Sequence, residues 1–194
     1  DRASERAGPS TDRTVHEQRG AMYYEIESDE AAMSAFITPE RESAGSLIQG
    51  RAMDPTEADP PFRYSYRDPT GAPLQDYYSA HSLMSRSLLA ALVGAGVDNL
   101  QPFDAELVDE ATGLVRVDFA CVNIIGMIAC ADLRRSTTSE LGSSDYFHDL
   151  VIDARKAHDL LMFRVAESMI NVLLHDTVVD ALLGRGLGGI VLTP

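Results

Sequence analysis

The stretch LLAALVGAGVDNLQPF, residues 88–103, returns in altered form as VVDALLGRGLGGIVLTP, residues 178–194. In each stretch, apolar residues at helical spacing precede a pair of glycines, and an extended apolar run follows them. Glycine readily adopts the left-handed conformation in which helices end. The sequence therefore predicts two repeated helix–glycine–strand units. The pairs that recur at one offset of 90 positions are Leu83/Leu173, Ala91/Ala181, Leu92/Leu182, Gly94/Gly184 and Gly96/Gly186.

The ends of these two helices have recognisable signals. Ser85 is the predicted N-cap of the first helix and Asp176 that of the second, because both side chains accept hydrogen bonds from free helical amides. Gly96 and Gly186 are expected at or next to helix ends, at least one of them with positive φ. The glycines follow neither the dinucleotide-binding nor the P-loop spacing, so a structural role is favoured over a phosphate site.

The remaining pattern is that of a mixed α+β protein with a mixed sheet and an irregular N-terminal segment. Residues 1–20 are predicted as an irregular tail, 21–71 as a variable N-terminal part and 72–194 as the main α+β domain. Predicted strands cover residues 22–27, 62–67, 97–107, 114–130 with a bend near Gly126, 147–153, 160–168 and 190–192; a short helix is expected over 31–36 and a polar connector over 134–145.

Charge is the most informative feature of the composition. Of 194 residues, 30 are acidic and 16 basic, which gives a formal net charge of −14. Such a surface repels nucleic acid and anionic lipid and attracts a basic partner, although solubility alone is a simpler explanation. No apolar run reaches the ~18 residues of a membrane span. Cys121 and Cys130 are expected as buried reduced thiols, which favours a cytoplasmic location.

Three histidine–aspartate doublets are the main candidates for catalysis: His148-Asp149, His158-Asp159 and His175-Asp176. Such pairs bind divalent metals in hydrolases, so a metal-dependent hydrolase is the alternative function. Against it, the doublets have dissimilar surroundings and Asp176 is needed as a helix cap. There is no G-x-S-x-G motif and no activated cysteine pattern. The leading hypothesis is therefore a protein with no catalytic residues, metal or cofactor.

The order of motifs in residues 72–194 resembles the immunity proteins of bacterial polymorphic toxin systems, in particular the myxobacterial-type immunity family. In that family a helix ending in a Gly-Val turn leads to a strand, an Asn-containing strand leads to an Ala-Asp pair, and a Phe-Arg strand precedes a second helix and strand. The corresponding residues here are Val97 with Phe103, Asn123 with Ala131-Asp132, Phe163-Arg164, and Leu187 with Ile190.

This resemblance implies a protein that neutralises a cognate toxin by direct contact and without catalysis. An acidic surface suits a basic, nuclease-like toxin. The acidic runs in the N-terminal third and in one turn are the predicted contact residues, since loops vary without disturbing a core. They are Glu25, Glu27, Asp29, Glu30, Asp54, Glu57, Asp59, Asp109 and Glu110.

Overall fold

A computed structural model of the chain describes residues 21–31, 35–40, 47–68, 70–141 and 144–194, so the predicted tail over 1–20 lies outside it. The described residues form thirteen strands and three α-helices, which confirms the α+β class. The strands are β1 (Tyr23–Ser28), β2 (Phe36–Pro39), β3 (Phe62–Arg67), β4 (Tyr77–Tyr78), β5 (Leu83–Ser85), β6 (Leu100–Asp109), β7 (Val115–Ile124), β8 (Met127–Ile128), β9 (Thr137–Leu141), β10 (Ser144–Asp149), β11 (Met162–Val165), β12 (Ser168–His175) and β13 (Ile190–Thr193), and the helices are α1 (Pro55–Ala58), α2 (Arg86–Gly94) and α3 (Asp176–Leu182).

The sequence repeat corresponds to two copies of one topological unit. In the first copy, α2 connects β5 to β6, and β7 lies between these two strands, antiparallel to both. In the second copy, α3 connects β12 to β13, and β1 lies between them in the same way. Each copy is a split β–α–β unit. The predicted repeat of a helix and its following strand is confirmed, since β6 and β13 also start 90 residues apart.

The two helices begin at residues that also differ by 90. Ser85 is the N-cap of α2, as predicted, and its Oγ accepts a hydrogen bond from the amide of Leu88 at 3.0 Å. The prediction of Asp176 as the second cap is wrong by one residue. His175 is the N-cap of α3, and its Nδ1 accepts from the amide of Thr177 at 3.2 Å. Asp176 is instead the first helical residue, where the helix dipole stabilises its negative charge.

Two of the repeated glycines have the predicted conformation. Gly96 has φ +96° and Gly186 has φ +71°, and Gly96 follows the C-cap of α2 directly. Gly186 lies four residues beyond the end of α3 at Leu182, so the prediction that it lies at or next to a helix end is wrong. Gly94 and Gly184 differ, because Gly94 is still helical whereas Gly184 has φ +78°. The two helices therefore end differently although their sequences align.

The strands form two larger sheets and a separate hairpin. One sheet has the order β2-β3-β6-β7-β5-β4 and the other the order β13-β1-β12-β11-β8, while β9 pairs with β10 alone. Within the first sheet β3 runs parallel to β6. Residues 21–71 supply β1, β2 and β3 to these sheets, so residue 71 does not separate two packing units.

Some local predictions are corrected by these strands. The polar segment 134–145 is not a connector throughout, because it contains β9 and the start of β10. The strand expected over 147–153 ends at Asp149, and the expected 160–168 strand is divided between β11 and the first residue of β12. The helix expected over 31–36 falls partly outside the described residues, and its last residue, Phe36, begins β2 instead.

One core cluster joins both large sheets to both longer helices. Ile26 and Val172 come from the five-stranded sheet, and Ala120 and Val122 come from the six-stranded sheet. The helices add Leu88, Ala91, Leu92, Val178, Val179 and Leu182. A second cluster covers the other face of the six-stranded sheet. We call the other face of the five-stranded sheet its outer face; there Phe163 and Leu173 pack against Phe147 of the hairpin.

Candidate partner-binding surface

The structure distributes the nine predicted acidic residues over three separate places. The second and third places lie at opposite ends of β3, roughly 15–20 Å apart for a six-residue strand. The three groups are Glu25, Glu27, Asp29 and Glu30 in and after β1; Asp54, Glu57 and Asp59 in and around α1; and Asp109 and Glu110 at the β6–β7 turn.

Glu25 is the most enclosed of the nine. It lies on β1, the second strand from one edge of the five-stranded sheet, where its backbone is paired with both Leu173 and Thr193. Its side chain is half-buried on the outer face, and Asn171 Nδ2 donates a short hydrogen bond to its Oε1. Burial raises the pKa of Glu25; the bond from Asn171 opposes that rise and the charge of Glu27 adds to it.

The other acidic residues of this group, Glu27, Asp29 and Glu30, are exposed or partly exposed. Glu27 lies two positions further along β1, on the same face, and is exposed. Asp29 is held through its backbone: its amide donates to the carbonyl of Gly189 at 3.0 Å, and its carbonyl accepts from Gln75 Nε2 at 2.7 Å. Glu30 is exposed in the following turn. The end of β1 is thus fixed in place while its acidic side chains reach the surface.

The group around α1 combines a helix cap with a cleft. Asp54 is the N-cap, and its Oδ1 accepts from the hydroxyl and the amide of Thr56 at 2.7 and 2.8 Å. These bonds lower the pKa of Asp54, the hydroxyl contributing most. Glu57 and Asp59 line a cleft of about 380 Å³ that also contains Arg63. This cleft therefore already holds a cation of the chain itself.

Arg63 in that cleft is paired with acidic side chains. Its Nε lies 3.1 Å from Glu106 Oε2 and 3.9 Å from Glu40 Oε2. Each of the three side chains is partly exposed, so the pairs contribute little to stability. Their effect is to lower the negative potential of the cleft.

The third group mainly stabilises a turn. Asp109 Oδ2 accepts from the hydroxyl of Thr112 and its Oδ1 from the amide of Ala111, both at 2.8 Å. These bonds lower the pKa of Asp109, with the largest contribution from Thr112. Glu110 Oε1 accepts from the hydroxyl of Ser65 at 3.0 Å. Both carboxylates therefore already accept hydrogen bonds from other residues of this chain.

A second cleft, of about 430 Å³, lies beside Glu25. Its walls come from β1, from Leu173 of β12, from the chain end at Pro194 and from residues 147–152. We call it the Glu25 cleft. Most of the side chains that line it are apolar, and Glu25 and Asp149 are its carboxylates. The sequence analysis missed Asn171 and the whole wall formed by residues 147–152, for which no local sequence signal exists.

Most of the residues that carry the resemblance are buried in the core, whereas Asp132, Leu187 and Ile190 are partly exposed. Val97, Phe103 and Phe163 are buried, and Asn123 is fully buried. Arg164 is 2% exposed; its guanidinium donates from Nη1 to the carbonyl of Met169 at 2.9 Å and from Nη2 to Ser82 Oγ at 3.1 Å. These residues position the surface rather than form it.

No family model and no curated protein matches this chain.

The histidine–aspartate doublets occupy three different environments. His148 is exposed on β10, His158 has a left-handed backbone with φ +49° after a 3-10 turn, and His175 is the N-cap of α3. In the part of the chain that the structure describes, no three His, Cys, Asp or Glu side chains come together as a metal site requires. None of the described helices has the length and hydrophobicity of a membrane span.

Proposed function

We propose that this chain is an immunity protein that binds a cognate bacterial toxin in the cytoplasm and neutralises it by direct contact, without catalysis. The observation that carries the proposal is the position of the acidic residues relative to the clefts. Glu25 lines one cleft, and Glu57 and Asp59 line the other. Concave, partly apolar sites with a few charged groups are the usual form of a recognition site.

The charge of the whole chain supports a basic partner. With a net charge of −14, the protein attracts a positively charged surface from a distance and orients it during approach. A nuclease toxin has such a surface because it must bind a polyanion. The acidic side chains of the inhibitor would then occupy or obstruct the groove that the toxin uses for nucleic acid.

Co-expression in a sensitive cell tests the proposal. We expect the chain to restore growth of cells that express the toxin encoded beside it, and to bind the purified toxin directly. Cells that die as fast with the chain as without it would end the immunity proposal.

Association kinetics test the electrostatic part separately. The variant Glu30→Lys with Glu57→Lys reverses two exposed charges of the predicted groups, and Asp98→Lys with Asp180→Lys reverses two exposed charges elsewhere. The net charge changes equally in both. We expect the first variant to associate at least about three-fold more slowly than the second, and the wild-type association rate to fall as salt rises. Equal rates for the two variants would show that only the total charge matters.

A further inference from the structure

The Glu25 cleft differs from the other cleft in its charge. The cleft beside α1 contains Arg63, whose charge is matched by its own carboxylate neighbours. The Glu25 cleft is lined by two carboxylates and by one histidine, His148, and the described residues that line it include no lysine or arginine. A buried or half-buried carboxylate without a counter-charge is costly to maintain. A cation that enters the cleft from outside would lower the free energy of these carboxylates.

The geometry around Glu25 leaves one carboxylate oxygen for such a cation. Asn171 donates to Oε1, and no described residue donates a hydrogen bond to Oε2. The backbone of Glu25 is paired on both sides in the sheet, which keeps its side chain on the outer face, where the cleft lies. Burial already raises the pKa of this carboxyl group, which fits a site where the negative charge is poorly solvated.

The walls of the cleft select among cations. Met22, Leu150, Val151 and Leu173 give it an apolar lining around the carboxylate. A guanidinium group is more weakly hydrated than an ammonium group, packs its flat faces on apolar surfaces and forms paired hydrogen bonds with carboxylates. Arginine is also enriched among the residues that dominate protein–protein binding energy.

We propose that the Glu25 cleft receives an arginine side chain of the protein partner, with Glu25 as its counter-charge. The inference rests on the proposed function, since it assigns one contact within the same interface. The arginine stem lies along the apolar wall and its guanidinium donates to Glu25 Oε2. Asn171 is a positioning residue, because it orients Glu25 through Oε1 and does not itself contact the partner.

The test uses a blocked arginine, N-acetyl-arginine amide, as the probe for the cleft. The full chain, labelled with ¹⁵N, is titrated with it, and amide shifts are followed by NMR. We expect saturable shifts confined to β1, β12 and residues 147–152. Blocked citrulline, which has the same shape without the charge, should bind at least about five-fold more weakly, because its neutral N–H groups form hydrogen bonds only about half as strong as charge-assisted ones. Blocked lysine should also bind more weakly.

Glu25→Gln and Asp180→Asn are the matched variants, because each removes one negative charge. Glutamine retains an oxygen that accepts from Asn171, so the fold is preserved and the charge alone is lost. We expect Glu25→Gln to abolish the preference for arginine over citrulline and Asp180→Asn to keep it. Each of three results would overturn the inference. They are a preference for arginine that survives in Glu25→Gln, binding of citrulline or lysine as tight as that of arginine, and amide shifts spread over the acidic surface.

The two proposals fail in different experiments. The probe titration needs no toxin, so it tests the cleft whether or not the chain protects a cell. Protection of cells by wild-type protein together with no arginine binding in the cleft would refute the inference and leave the immunity proposal standing. Arginine binding that depends on Glu25, together with no protection, would refute the immunity proposal alone.

Discussion

Replacement of Gly189 by alanine should disrupt the contact between the second repeated unit and the segment that precedes β4. Gly189 precedes β13 with φ +71°, and an added Cβ would lie 2.2 Å from Gln75 Cγ and 2.4 Å from Gln75 Cβ. Gln75 is 5% exposed and is held by the hydrogen bond from its Nε2 to the carbonyl of Asp29. The side chain therefore cannot make room without breaking that bond.

Gly184→Ala is the control variant, because it has the cost of the left-handed backbone without the cost of the steric clash. Gly184 has φ +78°, close to that of Gly189, but nothing lies within 4 Å of its added Cβ. Its replacement should cost about 1 kcal/mol through the left-handed backbone alone. Gly189→Ala adds an overpacking cost, for a total of about 2–4 kcal/mol.

Equilibrium unfolding in urea, followed by far-ultraviolet circular dichroism, measures both variants. We expect the transition midpoint of Gly189→Ala to lie clearly below that of Gly184→Ala, with similar slopes. In thermal unfolding, each kcal/mol corresponds to about 2–4 °C for a chain of this size. Equal losses in the free energy of unfolding of the two variants would refute the argument, because they would show that the Gln75 side chain moves aside without an energetic penalty.

Two further predictions concern a bridging carboxylate and the thiols. The Asp76 carboxylate accepts a hydrogen bond from the amide of Gly188 at 2.7 Å and another from Ser85 Oγ. We therefore expect Asp76→Ala to lower the free energy of unfolding in urea by about 1–2 kcal/mol, whereas replacement of the exposed Asp98 by alanine should change it little. Equal effects of the two variants would contradict a bridging role of Asp76. Burial raises the pKa of both Cys121 and Cys130 to about 11. At pH 8 a thiol reagent should therefore react with the folded protein only as fast as the protein opens to expose these thiols. Immediate labelling in native buffer would refute this prediction. The unfolded chain releases these protons near pH 9, so stability should also fall as the pH rises from about 9 to 11. Burial raises the pKa of Tyr23 and Tyr77 to about 12, so these groups add a loss above about pH 10, and a variant with serine at both cysteine positions should lack only the share that the cysteines contribute.

The fold was most predictable where one local signal dominates. Strict alternation in FRYSYR predicts β3 with its observed ends, and Ser85 is a helix cap by its chemistry. Prediction failed where the signal is ambiguous or absent. The exposed residues of β9 give no apolar alternation, and the apolar run within β12 is compatible with a helix or a strand. The cap at His175 was missed because aspartate is the commoner cap, although the offset from Ser85 indicates the correct residue.

The candidate site was predictable only in part, because it depends on contacts between distant segments. The acidic residues could be identified from composition, but their separation into three places depends on the sheet order. Nothing near Glu25 in the sequence indicates that Asn171 would bond to it or that residues 147–152 would form a wall beside it. The enclosure of Glu25 is a tertiary property.

β1 pairs with two strands that are synthesised long after it. β13 ends 165 residues beyond the end of β1, a distance that a ribosome covers in roughly 8–33 s at ~5–20 residues per second. Until β12 and α3 have been synthesised, Ile26 of β1 lacks the neighbours from those elements that later bury it. Pairings of such long range also close slowly. The Glu25 cleft is thus completed only after β13 has been synthesised, and nascent chains that stop before residue 190 should leave the edge of β1 that pairs with β13 open to proteases.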